Sequence, residues 1–301
     1  MLQREEWLAS HTHCTRPDQA RELASRVQET QLRLGVVLPV RDDARSLGKH
    51  LLALRHGWPG GSSPWCEVAV VDLGSTDASV EIARSQDARL LGGAERFLPG
   101  DAPAEGLALR RAVDQLGCDI VMVVPAGLRR IDWDKASGLV LSLLEHDEAA
   151  LAIGFQDAPP PSSRLSLRPL LSVLEPDLSL IVDPTCPLLA VRSAAVRSLP
   201  LALTLGYEPA LLLEIWKGSG LDGLCQVPVG TLLWQDGNTR HEEQATFRSV
   251  LALMETAQRH EILGKDGPFG HLFATLSQES EGVRVHADLQ LFRWSFPASM
   301  G

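Results

Sequence analysis

Short, β-branched apolar runs alternate with amphipathic stretches through the first half of this 301-residue chain. LGVVLPV (34–40), EVAVVDL (67–73), ARLL (88–91), IVMVV (120–124) and LAIGF (151–155) are nearly continuous in apolar residues. Such runs suit strands covered on both faces. Between them, DARSLGKHLLALRHG, DASVEIARSQ, EGLALRRAVDQLG and a segment at about 133–146 carry apolar residues at helical spacing. This alternation predicts an α/β fold: a Rossmann-like, mostly parallel central sheet flanked by helices.

The remaining segments divide around that core. Residues 1–33 read as a helical lead-in, with Pro17 in the first turn of DQARELASRVQET. Residues 34–157 form the first half of the domain. The Pro-rich APPPSS at 158–163 opens a second half, 158–263. There LSLRPLLSVLEP reads as a helix and DLSLIVDPTCPLLAVRS as a strand and turn. Pro209 fits the first turn of the helix PALLLEIWKGSG, LCQVPVG is a strand, and EEQATFRSVLALMETAQRH is a long helix. The tail, 264–301, is mixed, and its LQLFRWSF is expected to pack.

Composition narrows the function classes. Asp and Glu number 38 against 28 Lys and Arg, a net charge of −10, which opposes binding to nucleic acid or anionic membranes. No apolar run reaches membrane-spanning length. Five scattered cysteines without a CxxC, and a polar start (MLQREEWLASHTHC), suggest a reducing cytoplasm.

In a sheet of this kind ligands bind beyond the C-terminal strand ends. Pro39 lies at the end of the first strand, followed by Arg41, Asp42 and Asp43; Asp72 ends the second, followed by Gly74-Ser75-Thr76-Asp77. Asp72 is placed to accept hydrogen bonds from a base imide or ribose hydroxyl, or else to serve as a buried structural acceptor. Gly74 permits a tight turn and close approach of a ligand. Asp43 is open between ligand and structure. Asp77, or Thr76, reads as a helix cap. No GxGxxG or P-loop pattern is present.

LPVRDDARSL and VVDLGSTDASVEIAR resemble the opening of the large inverting glycosyltransferase family of the GT-A fold. RPLLSVLEPDL (168–178) and LGYEPALLLEIWKGSGLDGLCQVPVG (205–230) narrow the resemblance to glucosyl-3-phosphoglycerate synthases, over about residues 34–260. That resemblance implies a UDP-sugar donor, a divalent metal (Mg2+ or Mn2+) on the diphosphate, glucose transfer to phosphoglycerate with retention of configuration, and a homodimer. It places 34–157 as the nucleotide-sugar half and 158–263 as the acceptor side. Asp43 and Asp72 fall on nucleotide-site acids, Arg168 and Pro169 on the start of an RPLL motif, and Gly206 and Glu208 on a Gly-x-Glu beside the donor sugar.

The departures from the family pattern are chemically coherent. The acidic metal motif aligns with Pro125-Ala126-Gly127, a further metal-ligand His with Trp234, and a phosphate-binding Lys with Glu105. A Gly-Gly-Glu-Tyr acceptor loop aligns with Thr185-Cys186-Pro187-Leu188, where Pro187 removes an amide donor. Charge neutralisation and acceptor binding are therefore both altered. Arg129 and Arg130, just after the missing motif, are candidate cationic clamps for a diphosphate, with Arg41 and Arg240 as further candidates and solvated surface as the other reading. Two functions stay open: an atypical transferase with Glu208 positioning donor or acceptor, or a non-catalytic descendant that binds a nucleotide or metabolite, or a protein partner. Trp234 reads as packing, with sugar stacking as the alternative. The His11-x-His13-Cys14 pattern lies in a polar N-terminal segment without an obvious fourth zinc partner, and His241-Glu242-Glu243 reads as a helix start rather than a restored metal ligand. Cys186 is a candidate for exposure between Pro184 and Pro187.

Overall fold

A computed structural model describes residues 2–56, 58, 64–92, 105–202, 206–235 and 239–262. The elements in order are α1 (Leu2–His11), α2 (Gln19–Thr30), β1 (Leu34–Val40), α3 (Ala44–His56), β2 (Cys66–Asp72), α4 (Ser79–Ser85), β3 (Arg89–Leu91), α5 (Glu105–Gln115), β4 (Ile120–Val123) and α6 (Trp133–Glu145). They continue with β5 (Leu151–Phe155), α7 (Arg168–Leu174), β6 (Leu189–Arg192), α8 (Ser193–Val196), α9 (Glu208–Ser219), β7 (Leu224–Pro228) and α10 (Thr239–Arg259). The chain divides into two compact units, Met1–Thr256 and Ala257–Gly301. The sheet lies in the first. In the second, the described residues are the end of α10 and a turn in which Ile262 N donates to Ala257 O at 3.0 Å.

Seven strands form one sheet in the order β3-β2-β1-β4-β6-β5-β7. β1 is central, parallel to β2 on one side and β4 on the other, and every one of its residues is buried. That burial is why its sequence is a continuous apolar run rather than an alternating one. β6 departs from the parallel pattern and runs antiparallel to both β4 and β5. The sheet is therefore mixed, with the four strands that open the domain parallel throughout.

Two segments differ from their sequence reading. Residues 176–180 form a short 3-10 helix, and the strand of that region is confined to Leu189–Arg192. Pro176 sits in the first turn of that short helix, where its missing N–H costs nothing. Pro17 precedes α2 instead of entering it, and Asp18 takes a left-handed conformation (φ 57°) at the helix start. Asp134 of α6 then caps α2 from outside, accepting from Asp18 N at 3.1 Å and Ala20 N at 2.9 Å. The lead-in is also pinned to the sheet: His13 N donates to Gln226 O at 2.8 Å, and Trp7 Nε1 to Leu221 O at 2.9 Å.

Gly206, just before α9, has φ 71°, and a Cβ there would lie 2.7 Å from the Ala245 carbonyl oxygen of α10. Both the left-handed backbone and the close helix approach demand glycine. Gly206→Ala is expected to cost about 2–4 kcal/mol from overpacking and backbone strain together, read as a lower melting temperature.

Candidate functional site

The loops that leave the C-terminal ends of β1 and β2 are tied together by carboxylates. Asp42, with φ 57°, accepts from Thr76 N at 2.6 Å, Thr76 Oγ1 at 3.1 Å and Asp77 N at 3.2 Å, and its own N–H donates to Ser75 Oγ at 3.1 Å. Asp77 returns the tie, accepting from Ala44 N at 3.0 Å, Ser79 N at 2.9 Å and Ser79 Oγ at 2.5 Å. It thus caps the start of α4 as the sequence indicated. Desolvation pushes the Asp77 carboxyl up, but these hydrogen bonds to its charged form outweigh that and hold it below the ordinary value.

Asp72 closes its own turn, accepting from Gly74 N at 3.3 Å and Ser75 N at 3.0 Å, and Gly74 takes φ 93°. The tight turn expected at Gly74 is present. Pro39 is buried in β1, and its carbonyl accepts Ala126 N at 3.1 Å. This bond carries the segment after β4 alongside the end of β1, so Pro125-Ala126-Gly127 lies beside Asp43. A Cβ added to Gly127 would lie 2.8 Å from Asp43 Oδ1. Asp43 also accepts from Arg41 N at 3.0 Å, and its N–H donates to Ser79 Oγ at 3.0 Å.

Trp234 closes the other side of Gly127. Leu128 and Trp234 form an antiparallel bridge, Arg129 N donates to Leu233 O at 2.7 Å, and Gln235 N donates to Gly127 O at 2.9 Å. Gly127 and Trp234 are thus neighbours in space. The sequence favoured packing for Trp234; its ring lies against Gly127, while the residue stays 44% exposed. His50, beneath the same loop, bonds the Leu128 carbonyl through Nε2 at 2.6 Å. Arg129 and Arg130 are exposed, and the Arg129 guanidinium donates to Gln235 O at 3.2 Å. An open cleft of about 330 Å3 lies at these strand ends, lined by Asp42, Asp43, Arg45, Thr76, Asp77 and Gln235.

Deeper in, Glu208 opens α9 and is 3% exposed. Burial first, and then the Glu105 carboxylate, push its carboxyl well above the usual range. Glu105, at the start of α5, is raised to about 7 by burial and by Asp43. Asp43, at the cleft lining, therefore acts electrostatically on Glu105, and Glu105 on the buried Glu208. Asp183, which the sequence did not single out, is fully buried and holds the loop 183–188: it accepts from Thr185 Oγ1 at 2.9 Å and Gln156 Nε2 at 3.4 Å. The Asp-x-Thr spacing was its legible signal. Cys186 corrects the sequence reading: it is fully buried, and desolvation pushes its thiol well above the ordinary value, so it is no exposed nucleophile. The Tyr207 hydroxyl is buried without a hydrogen-bond partner among the described residues. Arg168 donates to Ser179 O at 3.2 Å, away from these groups in bonding. The side chains of Arg240 and His241-Glu242-Glu243, and the tail from 264, lie outside the described residues.

No family model matches the chain. Curated relatives do: it is 26% identical over 229 residues to glucosyl-3-phosphoglycerate synthase of Petrotoga mobilis, covering 71% of this chain and 70% of that protein. It is 28% identical over 211 residues to the synthase of Mycolicibacterium smegmatis, covering 65% and 68%. Among solved structures, the Mycobacterium tuberculosis synthase in complex with Mn2+, UDP-glucose and phosphoglyceric acid matches with TM-score 0.71 at 25% identity, over 82% of this chain and 87% of that one. The chain is a divergent homologue of the glucosyl-3-phosphoglycerate synthases. Its fold is that of the GT-A glycosyltransferases, as the resemblance implied.

The metal that accompanies the donor in the M. tuberculosis complex is poorly matched here. Residues 125–127 offer no side-chain oxygen, the indole of Trp234 offers no ligand lone pair, and position 127 is crowded by Asp43 and Trp234. Among the described residues no group of three or more His, Cys, Asp or Glu is placed to hold a metal ion, the His11-His13-Cys14 segment included. Also among the described residues, no helix is long and apolar enough to cross a membrane.

The raised Glu105 carboxyl has a definite linkage. A folded-state value of about 7 against an ordinary 4.5 means that the folded state binds the extra proton between those values, so stability falls as pH rises through that window. Glu105→Gln is expected to stabilise the protein clearly at pH 8 and hardly at all at pH 4.5, measured by paired thermal melts.

Proposed function

We propose that this chain transfers a sugar from a nucleotide-diphosphate donor of the UDP-glucose kind to a small hydroxylated or phosphorylated acceptor such as phosphoglycerate. The observation that carries this reading is the open cleft at the strand ends of a GT-A domain homologous to synthases whose structures hold UDP-glucose and phosphoglyceric acid. In the reaction an acceptor hydroxyl oxygen bonds to the anomeric carbon. The bond from that carbon to the diphosphate oxygen breaks, the nucleoside diphosphate leaves with the bonding pair, and the hydroxyl proton passes to the departing phosphate or to solvent. Asp43 and the turn held by Asp72 and Gly74 receive the nucleotide, with Pro39 as their backbone support. Glu208, buried at the start of α9, positions the sugar or acceptor. Arg129 and Arg130 face the diphosphate from the loop after β4 and offset its charge.

Five unpaired cysteines and the absence of a membrane-spanning helix among the described residues support a cytoplasmic setting. Pairing into a homodimer belongs to the same reading; sedimentation equilibrium is expected to return twice the 32.7 kDa chain mass.

A second reading is favoured by the substitutions at 125–127 and 234: a non-catalytic descendant that keeps a nucleotide or metabolite site, or serves as an interaction protein. Product analysis with UDP-glucose and 3-phosphoglycerate, together with a panel of UDP- and GDP-sugars and acceptors, separates the two. Transfer that Glu208→Gln lowers by about a hundredfold, as misplacement of a reacting group does, is the expected result. Saturable donor binding without turnover on any acceptor selects the second reading.

A further inference from the structure

The backbone of Trp234 is fixed while its side chain stays open. Two backbone hydrogen bonds, Arg129 N to Leu233 O at 2.7 Å and Gln235 N to Gly127 O at 2.9 Å, make the bridge that holds its segment against the loop after β4. The side chain is nevertheless 44% exposed, and its neighbour Leu233 is 57% exposed. Leaving a large aromatic in water forgoes apolar burial, and it is an arrangement suited to a ligand with an apolar face.

The same ring crowds position 127. A Cβ on Gly127 would lie 3.2 Å from Cε3 and 3.3 Å from Cζ3 of Trp234, as well as 2.8 Å from Asp43 Oδ1, so a side chain there would require the indole and the Asp43 carboxylate to shift. The cleft beside them carries Asp42, Asp43 and Asp77 against Arg45, a lining that opposes a diphosphate and leaves Arg129 and Arg130 of the adjoining loop and the neutral parts of the ligand to supply the affinity.

We infer that this chain binds its nucleotide-sugar without a divalent cation, and that the exposed Trp234 indole supplies a replacement contact by stacking on the apolar face of the donor's sugar ring. The inference rests on the nucleotide-sugar reading above. The sugar, rather than the base, is assigned to the indole because Trp234 pairs with the loop that follows β4, on one side of β1. Asp72 and its turn lie instead at the end of β2, on the far side of β1.

The test is calorimetric titration of the full-length chain with UDP-glucose and with UDP, each in chelator and in Mn2+, plus Mn2+ alone. Wild type, Trp234→Phe and Trp234→Ala are compared, and far-UV circular dichroism melts check that each variant folds. The expected result is equal UDP-glucose affinity in the chelator and Mn2+ arms and no saturable heat from Mn2+ alone. Trp234→Ala then weakens UDP-glucose by about tenfold, as loss of an aromatic stacking contact does. UDP binding changes by less than about twofold, and Trp234→Phe keeps most of the UDP-glucose affinity. Donor binding that requires Mn2+ overturns the inference and leaves the nucleotide-sugar reading standing. So does UDP-glucose affinity indifferent to Trp234→Ala, or UDP weakened as much as UDP-glucose. Absence of binding to both ligands in both arms overturns the inference together with the reading beneath it.

Discussion

One carboxylate joins the loops on which the whole site rests. Asp42 stands in a left-handed conformation directly after β1 and gathers the Thr76 and Asp77 amides that follow β2. Neighbouring parallel strands bring these loops close but do not orient them, because sheet hydrogen bonding ends with the strands. Side chains must take over, and aspartates do so here because a short carboxylate reaches amides two to four residues along a turn. Asp77 returns the tie to Ala44, and Asp72 closes the turn between. The cleft is rigid at its mouth for that reason, and its acidity is in large part a by-product of this bracing.

That bracing shapes the chemistry. Asp77, desolvated yet engaged with backbone amides and the Ser79 hydroxyl, is held below its ordinary value. Glu105 and Glu208 differ: burial first, and then Asp43 for Glu105 and Glu105 for Glu208, pushes both towards the protonated form. Among the described residues, arginines adjoin the cleft acids: Arg45 at the cleft lining, and Arg129 and Arg130 on the loop after β4.

Much of this was legible beforehand. The strand runs at 34–40, 67–73, 120–124 and 151–155 emerged as strands because burial on both faces leaves a sequence signature that few other environments produce. Asp77 as a cap and Gly74 as a turn were legible for local reasons, since their partners lie within a few residues. The 3-10 turn at 176–180 was missed because a short apolar run reads alike as strand or tight helix. Cys186 was misread because its flanking prolines suggest an exposed turn, whereas the loop folds inward around Asp183.

Local order along the chain settled the α/β class, the strand positions and the family likeness, because periodicity and turn chemistry act over a few residues. Tertiary structure alone decided that β6 runs antiparallel, that Glu105 and Glu208 share one electrostatic environment, and that Trp234 stands exposed over Gly127. Each of these depends on groups brought together across tens of residues. A carboxyl's proton affinity and an indole's exposure are set by what surrounds them in space, which no local pattern encodes.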